Sequence, residues 1–181
     1  MNRIDLLHLI RAACDLLDVD EVVVLGSQAI LATLPEDDLP AEATRSREAD
    51  IAAPVDPDES LSHLLAGVLG EDSAFDRANG YFADGVSMTT AHLPGDWQQR
   101  AVRLGSYSVL RRRTVVGICP EAHDLCASKL SAFREKDLEF VGSLVEAGIV
   151  AAGTLRDRLA TVPGIDPLAL SRAVSWLDSL S

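Results

Sequence analysis

The chain is poor in aromatic residues, in cysteine and in positive charge, and it has no long apolar run. Phe, Trp and Tyr together make up 4% of its 181 residues. Its three cysteines, Cys14, Cys119 and Cys126, are an odd number, and none stands in a CxxC pair. A disulfide framework and a thiolate zinc site are therefore not expected, and three reduced, mostly buried thiols are. Sixteen Lys and Arg face 28 Asp and Glu, for a net charge of −12. That argues against a broad nucleic-acid-binding face, which needs clustered cations, but leaves room for a local basic groove. The one basic run, Arg111-Arg112-Arg113, reads first as a solvated strand end and second as part of such a groove, with Arg134 and Lys136. No apolar stretch approaches the roughly 20 residues of a membrane span. Arg3, Asp5 and Arg11 interrupt the N-terminal apolar positions, so that segment reads as an amphipathic helix and not a signal peptide. No membrane contact is expected, and the expected location is cytoplasmic.

What is present is ordinary globular composition, 48% hydrophobic and 24% charged. Ile4, Leu7, Ile10, Cys14 and Leu17 recur at helical spacing over residues 3–17. Residues 21–25 form a β-branched run that predicts a buried strand. A short helix is expected over 27–34, stopped by Pro35, then a polar loop, PEDDLPAEATRS. EADIAAP reads as a second strand ended by Pro54, and 58–69 as a helix with an acidic first turn. GEDSAFDRANG reads as a loop. YFADGVSMTTAHLP should supply one or two strands, and AVRL, YSVL and TVVGIC one short strand each. From Pro120 the pattern changes to four helices with Gly or Pro connections. These observations predict an α/β or α+β sheet domain over 1–119, with a helical C-terminal region, 120–181, packed on it.

Two short stretches carry chemistry. VVVLGSQAI breaks an apolar strand at Gly26-Ser27, and SREADI follows with Glu48 and Asp50 separated by one residue. On a strand those two side chains share a face. Unpaired with bases, they repel unless a cation sits between them. Small residues at a strand-to-helix turn let backbone amides approach phosphates. Paired acids with a small turn suit metal-dependent transfer of a nucleotidyl group. Other chemistries fit less well. Ser27 lacks the GxSxG elbow of a hydrolase nucleophile, and Gly26 is the lone glycine of its turn, against a dinucleotide site. His123 and Asp124 are adjacent on a helix and cannot act as a dyad. His8 and His63 fall in amphipathic helices, His92 lies near LPGDW, and Trp97 and Trp176 read as packing anchors.

LGSQAILATLP followed by SREADI resembles the hG[GS]…[DE]h[DE]h signature of the nucleotidyltransferase superfamily. GYFADGVSMTTAHLPGDWQQRAVRL and CPEAHDLCASKLSAFREKDLEFVGSLVEAGIV resemble small bacterial nucleotidyltransferase-like proteins related to AbiEii- and MenT-type toxins. The similarity spans most of residues 20–150, and HDL-x3-K-x4-R-x-KD-x2-F is its most distinctive part. The resemblance implies an α+β fold, a mixed β-sheet with flanking helices followed by a C-terminal helical bundle. It implies NTP as substrate, Mg²⁺ or Mn²⁺ held by Glu48 and Asp50, and phosphates at Gly26 and Ser27. By motif position it adds Lys129 and Asp137, with Arg134 and Lys136 beside them. The implied acceptor is a hydroxyl on RNA, such as a tRNA 3′ end, or on protein, and a toxin role implies an antitoxin partner. A third carboxylate is expected: Asp137 first, then Asp84, then Asp76. Two alternatives remain open: a non-catalytic nucleotide- or partner-binding module, and a transferase acting on a small molecule such as an antibiotic.

Overall fold

The computed structural model describes residues 1–180. Helix α1 (Arg3–Leu17) starts at Asn2 with a reciprocal cap, the Asn2 side chain accepting from the Asp5 amide and the Asp5 carboxylate from the Asn2 amide. Strand β1 (Glu21–Val24) divides its side chains by the two-residue period. Val22 and Val24 enter the main core; Val23, with Leu25, enters a smaller cluster built around Trp97. The sheet is thus covered on both faces.

The helix expected after Gly-Ser is a tight 3-10 helix, Ser27–Ala32, buried from Gln28 onward. The polar segment after it is not all loop. It contains a 3-10 turn at Glu36–Asp38 and one turn of helix, α2 (Ala41–Thr44), each entered through a proline. Strand β2 (Glu48–Ala52) falls where expected; helix α3 (Ser60–Leu69) starts two residues late, so the acids expected in its first turn, Asp58 and Glu59, precede it. Helix α4 (Ala74–Asn79) lies in the stretch expected to be loop. Ser73 caps it by accepting from the Asp76 amide, and Gly80 ends it at φ 78°.

Only Phe82–Gly85, β3, is strand in the region where one or two were expected. Its partner β2 ends at Ala52, two residues before Pro54, so nothing remains to pair with beyond the Val86 amide, which donates to Ile51. A 3-10 turn, Met88–Thr90, and a short helix, α5 (Trp97–Arg100), follow. AVRL and most of YSVL merge into one strand, β4 (Val102–Ser108), because Gly105 stays in register opposite Val116 of β5 (Arg113–Cys119). The four C-terminal helices are α6 (Ala122–Ala132), α7 (Glu135–Glu146), α8 (Ala152–Ala160) and α9 (Pro167–Asp178).

The sheet order is β3-β2-β1-β5-β4, with β1 parallel to β5, β2 parallel to β3, and the other two pairings antiparallel. The architecture is α+β, a mixed sheet flanked by helices with a helical C-terminal third. Asp124 of α6, fully buried, ties these layers together: it accepts from Arg100 Nε at 2.8 Å, and Arg158 Nε lies 3.2 Å away. All three cysteines are free and buried, and burial pushes the Cys14 and Cys119 thiols up to about 12. Among the described residues, no helix is long and apolar enough to cross a membrane.

Candidate metal and nucleotide site

The parallel register of β2 and β3 sets Asp84 directly beside Asp50, while Glu48 stands two residues before Asp50 on the same strand. Ligand oxygens of Glu48, Asp50 and Asp84 all lie within 4.8 Å of one another. Among the described residues, none of the three is in an ion pair. Burial pushes the Glu48 carboxyl up, and the Asp50 charge, a hydrogen bond to Asp50 and the Asp84 charge add to it. Asp84 is also pushed up, first by burial and then by Asp50. Clustered carboxylates that resist ionisation together gain when a cation joins them. The donors are all oxygen, with no His or Cys among them, which fits hard divalent ions such as Mg²⁺ or Mn²⁺.

Gly26 is held to glycine by this cluster. Its φ of −83° is open to any residue, so the turn itself makes no demand. A Cβ there would stand 1.6 Å from Asp50 Oδ2. The Asp50 carboxylate therefore rests against the bare α-carbon of Gly26, and the Leu25 amide donates to the Asp50 carbonyl at 2.9 Å. The end of β1 and the acid strand β2 are locked together at the point where Gly26-Ser27 leads out of the sheet.

These residues open into a cleft of about 940 Å³ between the sheet, α2, the α6–α7 turn and the α8–α9 connection. The chain contains two lysines, Lys129 and Lys136, and both line this cleft with Arg45 and Arg134. Lys129 is nearly buried, with Nζ 4.9 Å from the Phe140 ring centroid and 3.4 Å from Asp137 Oδ1. Burial pulls its pKa down, while Asp137 and, more weakly, Asp50 hold it up. Arg134 Nε donates to Asp137 Oδ2 at 2.6 Å.

Of the ten residues offered for the site from the sequence, Gly26, Ser27, Glu48, Asp50, Asp84, Lys129, Arg134, Lys136 and Asp137 line this one cleft, and Asp76 does not. They do not form one cluster. Asp84, not Asp137, joins Glu48 and Asp50; Asp137 is buried against its two cations. Asp76 is buried elsewhere, taking Arg47 at 3.0 Å and the Asp72 amide. Arg111 and Arg113 pair with Asp18 and Asp20 outside the cleft and add nothing to its charge. His123 braces α6 against α8: Nδ1 lies 2.7 Å from Glu121 Oε1, and Nε2 accepts from the Ala151 amide. Arg45, which the sequence does not mark, and His92, noted there without a role, also line the cleft; neither stands in a pattern that points to a site.

No curated protein and no solved structure matches the chain. A family model described as "Nucleotidyltransferase of unknown function (DUF6036)" matches residues 4–161. That description names a nucleotidyltransferase without naming AbiEii- or MenT-type proteins, a substrate or a toxin role. The acid triad, the glycine pressed against it and the α+β sheet are consistent with that description. The match covers most of the chain, so this protein belongs to the DUF6036 family of nucleotidyltransferases.

Proposed function

We propose that the protein moves a nucleoside monophosphate from an NTP to an acceptor hydroxyl, using Mg²⁺ or Mn²⁺ held by Glu48, Asp50 and Asp84. The hydroxyl oxygen bonds to the α-phosphorus, the α–β phosphoanhydride bond breaks, pyrophosphate leaves, and the hydroxyl proton is released. The triad would hold a divalent cation, which when bound would neutralise phosphate charge and acidify the attacking hydroxyl. The chain's own residues do the rest. Gly26 and Ser27 bring backbone close to the phosphates. Lys129, Arg134 and Lys136 meet the charge of the β- and γ-phosphates. The observation that carries this reading is the triad itself, three unpaired carboxylates within 4.8 Å with Asp50 seated on Gly26. Asp84 also supports transfer over a binding module, a reading motivated by the want of a clear third acid.

The acceptor we favour is a hydroxyl of RNA, such as a tRNA 3′ end, or of protein. It goes with the resemblance of residues 119–150 to AbiEii- and MenT-type toxin proteins and with a cognate antitoxin. Arg45, Arg134 and Lys136 at the cleft support a local anionic contact on a chain otherwise too acidic for a broad one. The test is label transfer from each of four α-labelled NTPs, with Mg²⁺ or Mn²⁺, into total tRNA and into protein. Glu48→Ala and Asp50→Ala run beside the wild type. Label that vanishes in both variants supports transfer and names the nucleotide; label that survives them sinks the assignment of the site.

A further inference from the structure

We infer that Asp137 is the positioning residue of a two-pronged phosphate clamp formed by Lys129 and Arg134, and that it does not hold metal. The inference rests on the nucleotidyl-transfer reading above and assigns a role within that site. The Asp137 side chain is 1% exposed. Its Oδ2 accepts from Arg134 Nε at 2.6 Å, and its Oδ1 lies 3.4 Å from Lys129 Nζ and 3.5 Å from Arg134 Nη2. Both oxygens thus face cations of the chain, whereas the Glu48, Asp50 and Asp84 oxygens face one another.

The backbone supports the same assignment. Lys129 sits in the last turn of α6, and Phe133 closes that helix in the left-handed region at φ 54°. Arg134 then opens α7, its carbonyl accepting from the Asp137 amide at 2.9 Å. The Arg172 guanidinium of α9 stacks over the Phe133 ring, 4.2 Å from its centroid, and braces the turn. The two cations on either side of the turn are therefore tied to one buried carboxylate. Lys129 Nζ has two further N–H donors, and Arg134 keeps donors beyond the two aimed at Asp137. Lys129 is 11% exposed and Arg134 60%, so the pair offers one recessed and one open donor group on the cleft. Adjacent phosphoryl groups of a polyphosphate suit that arrangement.

The test compares wild type, Asp84→Asn, Asp137→Asn and the charge-balanced double variant Lys129→Gln/Asp137→Asn, each confirmed folded by circular dichroism. Mn²⁺ binding is measured without nucleotide by electron paramagnetic resonance, and inorganic triphosphate binding by calorimetry. Asp137→Asn should leave Mn²⁺ affinity within about twofold of wild type and weaken triphosphate by about tenfold or more. Asp84→Asn should weaken Mn²⁺ strongly. The double variant also removes one prong of the clamp, so it carries the metal half of the inference if the single variant does not fold: its Mn²⁺ affinity should stay within about twofold of wild type. Mn²⁺ weakened by loss of Asp137 as much as by loss of Asp84 overturns the inference. So does unchanged triphosphate affinity in a folded variant, which is the mark of a purely structural Asp137. Failure of the underlying reading looks different: wild type binds neither probe, or Asp84→Asn binds Mn²⁺ normally, and the inference then falls with it.

Discussion

Neutralising Asp84 should raise the melting temperature of the metal-free protein, although a turn aspartate before glycine is expected to do the opposite. The Asp84 carboxylate has Glu48 and Asp50 oxygens within 4.8 Å and no cation paired with it among the described residues. Two like charges at that distance repel by roughly 0.9 kcal/mol at the dielectric of water, and physiological salt removes about half. The water value is the conservative one here: the Asp84 side chain is open to solvent, although the protein around it is close enough to raise its carboxyl. Two neighbours then give about 1 kcal/mol of relief in Asp84→Asn. For a chain of this length, about 1 kcal/mol moves the midpoint by about 2–4 °C. Scanning calorimetry in EDTA should therefore place the variant about 2–4 °C above wild type. Saturating Mg²⁺ should reverse the order, since only wild type gains the full free energy of binding. A variant that melts lower in EDTA, or gains as much from Mg²⁺ as wild type, refutes the reasoning.

Gly26→Ala puts a methyl 1.6 Å from Asp50 Oδ2, so the carboxylate must move; a cost of about 1–3 kcal/mol in melting and a loss of Mn²⁺ affinity are expected. Glu48 and Asp84 have raised folded pKa values, so the folded protein binds more protons than the unfolded chain just above the ordinary carboxylate range. Metal-free stability therefore falls as pH rises through those folded values, and the Mg²⁺-induced rise in melting temperature should grow with pH over the same window. Melting scans with and without Mg²⁺ between about pH 5 and 8 check this; a Mg²⁺ shift that shrinks with pH contradicts it. Asp124→Asn leaves Arg100 and Arg158 without their buried partner and should cost about 3–5 kcal/mol, read as a melting temperature lower by about 10 °C.

The sequence shows the site on β2 clearly, because Glu48 and Asp50 lie two apart on a strand and periodicity alone puts them on one face. Asp84 was legible only as a weaker candidate. Its place depends on the register of β3 against β2, a pairing across more than thirty residues that local pattern cannot supply. Asp137 stood ahead of it on motif position, and a motif does not reveal which side of a carboxylate is already filled. The four C-terminal helices were plain from apolar period and Gly or Pro breaks. Helix α4 was missed although Ser73 and Asp76 stand at capping distance, because six residues carry too little apolar pattern to register. The merged strand β4 was read as two because Gly105 looks like punctuation, and cross-strand pairing with Val116 overrides it.

The contact between Gly26 and Asp50 also bears on how family members are sorted from sequence. Counting acids is the natural way to separate working copies from decayed ones, yet a protein can keep Glu48, Asp50 and Asp84 and still lose the arrangement through one added carbon at position 26. Because the backbone there is permissive, such a copy would fold and be expressed as an intact-looking homologue. The residue to inspect first in a newly sequenced relative is therefore the glycine, which ligates nothing.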